Sequence, residues 1–142
     1  MVFAFVNKVC EILEIETPQV SFDVSMFHTQ TTLAQCSSDA KMIYIRESDT
    51  TSLDTLFAIA HELRHVWQIQ TDHTTFFNKY KPASELDIES YNQQLPELDA
   101  NAFATFIMED GFGVRPLFNG LSDDLRNEIF ERAAQISKEL AP

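Results

Sequence analysis

The sequence is poor in the residues that interrupt regular secondary structure. Its 142 residues include only three glycines and five prolines, so we expect few tight turns and a fold dominated by helices. The only two cysteines, Cys10 and Cys36, form no C-x-x-C pattern and no disulfide framework. A reducing, cytoplasmic setting is therefore expected.

Basic residues are also scarce, since ten Lys and Arg stand against 22 Asp and Glu, a net charge of −12. Such a surface argues against nucleic-acid binding, which requires clustered cations along the phosphates. No apolar run reaches the roughly 20 residues that span a bilayer, and the apolar start lacks the basic leader of a signal peptide. We expect neither nucleic acid nor a membrane as a partner.

What the chain does contain favours one packed globular domain over residues 1–142. Hydrophobic residues make up 44% of the chain, and twelve of them are phenylalanines. This is enough apolar material for one core, but the chain is too short for two. The order of the predicted elements gives an α+β fold, with a small, mostly antiparallel sheet packed on a long helix and further helices.

The first third of the chain predicts a helix followed by strands. Apolar residues recur at helical spacing over residues 2–15. Period-two alternation, typical of half-buried strands, then predicts strands over residues 20–26, 33–36 and 41–46. In the last of these, Ile43 and Ile45 share one face.

The remainder predicts helices. Thr51 and Asp54 resemble a capping box that opens a helix to about Gln70, and the polar residues 71–84 indicate a loop. Further helices are predicted over residues 85–95, from Pro96 to Gly111, and from Ser122 to about Leu140.

The most informative segment is His61-Glu62-Leu63-Arg64-His65, an H-E-x-x-H motif within the long predicted helix. Two imidazoles at i and i+4 lie on one helix face and can hold a single Zn²⁺, and the glutamate between them can act as general base. The apolar residues of the segment fall on the opposite face. The alternative is a metal-free structural helix whose histidines match the motif by chance.

A catalytic zinc usually has three protein ligands and one position for water. The metzincin pattern requires glycine at position 68 and histidine at position 71, where this chain has Gln68 and Thr71, so that class is excluded. His28 and His73 remain possible third ligands, although neither has a recognised spacing.

A carboxylate from a later helix is the better candidate. Glu97 shares a predicted helix face with Ala100, Asn101 and Ala104, and the two small alanines would allow close approach to the histidine helix. Asn101 could accept a hydrogen bond from a ligand imidazole, whereas Asp99 points to the opposite face. Alternatively, Glu97 is only a charge in the first turn of a helix, where the macrodipole favours it.

These residues resemble those of the gluzincin metallopeptidases, in which H-E-x-x-H is followed on a later helix by E-x-x-A-[D/N]. The chain is most similar to small ImmA/IrrE-type and minimal gluzincin domains, over about residues 40–110. The resemblance implies a zincin-like fold and hydrolysis of a protein or peptide, with Glu62 as the base. It implies zinc ligation by His61, His65 and Glu97.

Several roles stay open at this level. The candidate donors to a reaction oxyanion are Tyr80, Tyr91, His73 and His28. Phe76 and Phe77 could line a substrate site or anchor their segment in the core. A different class of function is a regulatory or interaction module of zincin fold that binds zinc with little or no proteolysis.

Overall fold

The computed structural model describes residues 1–47 and 52–140, and the predicted capping residue Thr51 lies outside these ranges. The chain forms two compact units, Met1–Thr71 and Asp72–Pro142. Five α-helices and one three-stranded sheet in the described ranges give an α+β fold, as predicted. No helix in those ranges has both the length and the apolar character needed to cross a bilayer.

The first unit opens with α1, Val2–Leu13, which confirms the predicted N-terminal helix. Val6 and Val9 lie on its buried face, as the apolar spacing indicates. The helix ends two residues earlier than predicted because Glu14 adopts the left-handed conformation, with φ 57°, and its N–H caps the last turn.

A small mixed sheet follows α1. Its strands are β1 (Gln19–Ser21), β2 (Ala34–Cys36) and β3 (Met42–Ile45), in the order β1-β3-β2. β2 pairs antiparallel with β3, but β1 pairs parallel with β3. The prediction of a mostly antiparallel sheet is therefore confirmed for one of the two strand pairings and wrong for the other. The long connection from β1 to β3 permits the parallel pairing.

The first predicted strand is too long. Val24–Met26 forms a short 3₁₀ helix in place of its second half. The cause is Asp23, whose carboxylate accepts hydrogen bonds from the backbone N–H and the hydroxyl of Ser25 and so begins a turn. In β3, by contrast, the predicted alternation is confirmed, since Ile43 and Ile45 are both fully buried.

The motif-bearing helix α2 runs from Leu53 to Phe77 and is interrupted at Asp72, whose φ of −160° and ψ of 75° are not helical. The loop predicted over residues 71–84 is therefore wrong for its first half, since the helix continues to Phe77. Asp72 explains the error, because its carboxylate accepts hydrogen bonds from the N–H and hydroxyl of Thr75 and starts a second helical piece. The division between the two units falls at the same place.

The second unit contains three further helices: α3 (Ile88–Gln93), α4 (Leu95–Phe112) and α5 (Asp123–Leu140). α3 is shorter than the predicted stretch 85–95. α4 continues past Gly111 and ends at Phe112, and Gly113 caps it in the left-handed conformation, with φ 66°. α5 begins after Ser122, as predicted, and the Ser122 hydroxyl accepts a hydrogen bond from Leu125 N.

Candidate metal centre

In the first unit, α2 brings His61 and His65 together as the motif predicts. Their Nε2 atoms lie 3.1 Å apart, and their rings meet edge to face with centroids 4.7 Å apart. Residues four apart on a helix are neighbours on its surface. Both imidazoles therefore direct the same ring nitrogen toward one point.

The separation of the two nitrogens fits a shared zinc ion. Zn–N bonds are about 2.0–2.1 Å long, so a single ion could lie within bonding distance of both nitrogens, which are 3.1 Å apart. Without metal, the same distance suits a hydrogen bond from one imidazole to the other. The histidine pair can thus supply two of the ligands of a zinc site.

Gln68 orients one of these histidines. Its Oε1 lies 2.8 Å from His65 Nδ1, and both side chains are buried. Because an amide oxygen only accepts hydrogen bonds, Nδ1 carries the proton and the lone pair of His65 is on Nε2. The sequence interpretation missed this role, although position i+3 on the same helix face would have indicated it.

The carboxylate of Glu62 lies beside the histidine pair. Its Oε1 accepts a hydrogen bond of 2.9 Å from the backbone N–H of Cys36, in β2. Its Oε2 lies 3.7 Å from His61 Nε2. The strand therefore holds one oxygen, and the other lies close to His61, a position from which it could act as a general base.

Glu97 belongs to the second unit, where it is buried in the first turn of α4, directly after Pro96. Its Oε2 accepts a hydrogen bond of 2.8 Å from the hydroxyl of Tyr80, and that hydroxyl lies 2.9 Å from the hydroxyl of Tyr91. Burial raises the pKa of Tyr80, and the nearby Glu97 carboxylate raises it further, so the phenol stays protonated. The role of Glu97 as a zinc ligand stays a prediction.

The neighbours of Glu97 have structural contacts within the second unit. Asn101 donates from Nδ2 to Asn92 Oδ1 over 2.8 Å, and an imidazole-orienting contact of the kind predicted for Asn101 is made by Gln68. Asp99 is fully buried and forms an ion pair of 3.0 Å with Arg132 of α5. Asp99 therefore has a partner that joins α4 to α5.

The other candidate residues lie in exposed or aromatic surroundings. His28 and His73 are both exposed. The ring of His73 packs against Phe77 with centroids 5.1 Å apart, and Phe77 packs in turn against Tyr80 at 5.3 Å. These contacts favour the interpretation in which Phe77 anchors its segment.

Comparison of the chain with protein-family models, with curated proteins and with solved structures found no match. The gluzincin resemblance stays a prediction from the residues of the two motifs.

Proposed function

We propose that this protein is a zinc-dependent metallopeptidase that hydrolyses peptide bonds. In this proposal His61, His65 and Glu97 hold the zinc and Glu62 is the general base. The observation that carries it is the convergence of the two Nε2 atoms, 3.1 Å apart, with a carboxylate oxygen 3.7 Å from one of them. Two nitrogen ligands and an adjacent base are the core of hydrolytic zinc sites.

Bound zinc would supply a water of lowered pKa and polarise the carbonyl of the scissile bond. The proton of the attacking water would be transferred by a side chain of the protein. Glu62 Oε2 would take it from the attacking water and deliver it to the departing amine, while the Cys36 N–H holds Oε1 in place. Gln68 keeps the Nδ1 proton of His65 engaged, so that Nε2 remains the ligand atom.

The alternative, a zincin-fold module that only binds zinc, requires the two histidines but no base. The position of Glu62 beside His61 favours the enzyme. A reducing, cytoplasmic setting remains part of the proposal, and it agrees with two cysteines that form no disulfide.

The test combines metal content with peptide hydrolysis. We expect about one zinc per chain in the unaltered protein and its loss in His61→Ala and His65→Ala, with the exposed His28→Ala as the matched control. Glu62→Gln should retain zinc but lose hydrolysis of a peptide library by about 10²- to 10⁴-fold, the usual contribution of a general base. Glu128→Gln, at an exposed position of α5, is its control.

The outcomes separate the alternatives. Unaltered protein that takes up no zinc would refute the proposal as a whole. Zinc binding without hydrolysis by the unaltered protein would establish the binding module instead. Full activity of Glu62→Gln would exclude Glu62 as the base while leaving the metal site intact.

A further inference from the structure

We propose that Tyr80 is a positioning residue for Glu97, and that its hydroxyl fixes one carboxylate oxygen so that the other is presented to the metal. This inference rests on the proposed function, because it takes Glu97 to be the third zinc ligand. It assigns a role to a residue outside both sequence motifs.

The proton positions in this cluster follow from its hydrogen bonds. Tyr80 donates its only hydroxyl proton to Glu97 Oε2 over 2.8 Å, since an ionised carboxylate can only accept. The 2.9 Å contact between the two phenols must then be donated by Tyr91. The result is a directed chain from Tyr91 to Tyr80 to Glu97, in which each bond polarises the next.

This chain of hydrogen bonds fixes the conformation of the Glu97 side chain. A glutamate side chain has several rotatable bonds, and fixing it costs conformational entropy. A charge-assisted O–H···O⁻ bond is stronger than a neutral one, and Glu97 is only 2% exposed, so water competes little. The bond to Oε2 therefore distinguishes the two oxygens and favours a single ligand atom, Oε1.

This role differs from that of an oxyanion donor, for which Tyr80 was also a candidate. A phenol has one proton to donate, and that proton is directed to Glu97. Donation to a reaction intermediate would require breaking this bond. The ring of Tyr80 is held independently by Phe77 and Tyr91, with centroids 5.3 Å and 6.2 Å away, so Tyr80→Phe removes the hydroxyl and retains the packing.

The decisive experiment measures metal binding in Tyr80→Phe. Zinc affinity should fall by about 10- to 100-fold, the usual effect of losing a partner of a ligand side chain. The visible absorption spectrum of the Co²⁺-loaded protein should also change, because an unrestrained carboxylate can bind through both oxygens and alter the coordination number. The control is Tyr44→Phe, which removes a tyrosine hydroxyl from β3 of the first unit. It should change neither the zinc affinity nor the Co²⁺ spectrum.

A measurement on the unaltered protein serves if Tyr80→Phe does not fold. Zinc titration should perturb the near-ultraviolet absorption of tyrosine. The Glu97 carboxylate accepts the hydrogen bond of Tyr80, and metal binding would reduce the negative charge on that carboxylate. Tyr44→Phe should retain this difference signal. Its absence from the unaltered protein during zinc uptake would overturn the inference.

Glu97→Gln distinguishes failure of this inference from failure of the proposed function. If Glu97→Gln weakens zinc binding while folded Tyr80→Phe matches the unaltered protein in affinity and Co²⁺ spectrum, only the role of Tyr80 is wrong. If Glu97→Gln leaves zinc binding unchanged, the third ligand lies elsewhere and both proposals fail at this residue.

Discussion

Replacing Gln68 by leucine tests whether zinc affinity depends on the orientation of His65. The amide oxygen of Gln68 lies 2.8 Å from His65 Nδ1, and Gln68 is fully buried. Leucine has a similar volume and no hydrogen-bond acceptor, so the change removes the contact without opening a large cavity. Gln70→Leu, at an exposed position of the same helix, is the matched control.

Two effects on stability are expected, and they can be separated. In the metal-free protein, leaving the buried Nδ1–H of His65 without its acceptor should lower the free energy of unfolding by about 1–3 kcal/mol. In the zinc-bound protein, a second loss is added because the imidazole is no longer oriented, which typically weakens metal affinity about 10- to 100-fold.

Linkage between binding and folding gives the size of the second loss. At a zinc concentration 100 times the dissociation constant of the unaltered protein, binding stabilises the fold by about 2.7 kcal/mol. A site weakened tenfold contributes about 1.4 kcal/mol at the same concentration, and one weakened a hundredfold about 0.4 kcal/mol. The zinc-dependent increment in stability should therefore fall to about half or less in Gln68→Leu.

The assay is thermal or denaturant unfolding with and without zinc, supported by direct titration of zinc binding. The difference between the two unfolding free energies isolates the metal contribution from the general cost of the substitution. We expect Gln70→Leu to retain the full increment. An undiminished zinc increment in Gln68→Leu, even one with reduced metal-free stability, would show that the contact serves the fold and has no part in orienting a ligand.

Two further predictions concern the second unit. Arg132→Ala leaves the fully buried Asp99 carboxylate without its ion-pair partner and should lower the free energy of unfolding by about 3 kcal/mol. The control is Arg126→Ala, which removes an exposed ion pair and should lower the free energy of unfolding by less than about 1 kcal/mol. Hydrogen bonds from the backbone N–H and hydroxyl of Ser90 hold the pKa of the Asp87 carboxyl below its ordinary value of 3.8. The capping of α3 by Asp87 should therefore be complete above pH 3.8 and lost as the pH falls through the lowered pKa. Protection of the Ser90 amide from hydrogen exchange should show the same pH dependence, and this dependence should disappear in Asp87→Asn.

The parts of the fold that could be predicted from the sequence are those specified by local signals. α1 presents an apolar stripe at helical spacing, and Ser122 with the two acidic residues after it indicates the start of α5. Both helices were predicted within about two residues of their ends. The faces of β3 were also predicted, since Ile43 and Ile45 alternate with half-buried neighbours. A repeat of 3.6 or 2 residues records which side of an element is buried, whatever its partner.

The errors occurred where one polar side chain or a distant pairing decides the structure. Asp23 and Asp72 each accept hydrogen bonds from a residue two or three positions later, and each starts a helical turn that hydrophobic patterns do not reveal. The parallel pairing of β1 with β3 depends on how the chain returns to the sheet. Periodicity carries no information on strand direction.

The site shows the same division. The spacing of the motif correctly predicted that His61 and His65 share a helix face and that Glu62 lies beside them. The backbone N–H of Cys36, which holds Glu62, could not be predicted, because any residue type can supply it. Gln68 could have been found, since it lies one helical turn from His65.

A common feature links three of the residues predicted to carry the chemistry. Glu62 and Glu97 each have one oxygen held by a partner that is distant in sequence, 26 and 17 residues away, and His65 has one nitrogen held by Gln68. In each case the partner lies outside the motif and engages an atom other than the one to which we assign the chemistry. These side chains are therefore ordered by folding, so the entropy of fixing them does not oppose zinc or substrate binding. It follows that substitutions of the two side-chain partners, Tyr80 and Gln68, should weaken the site even in a chain whose motifs are intact, because a motif specifies which atoms can react and the surrounding fold determines where they point.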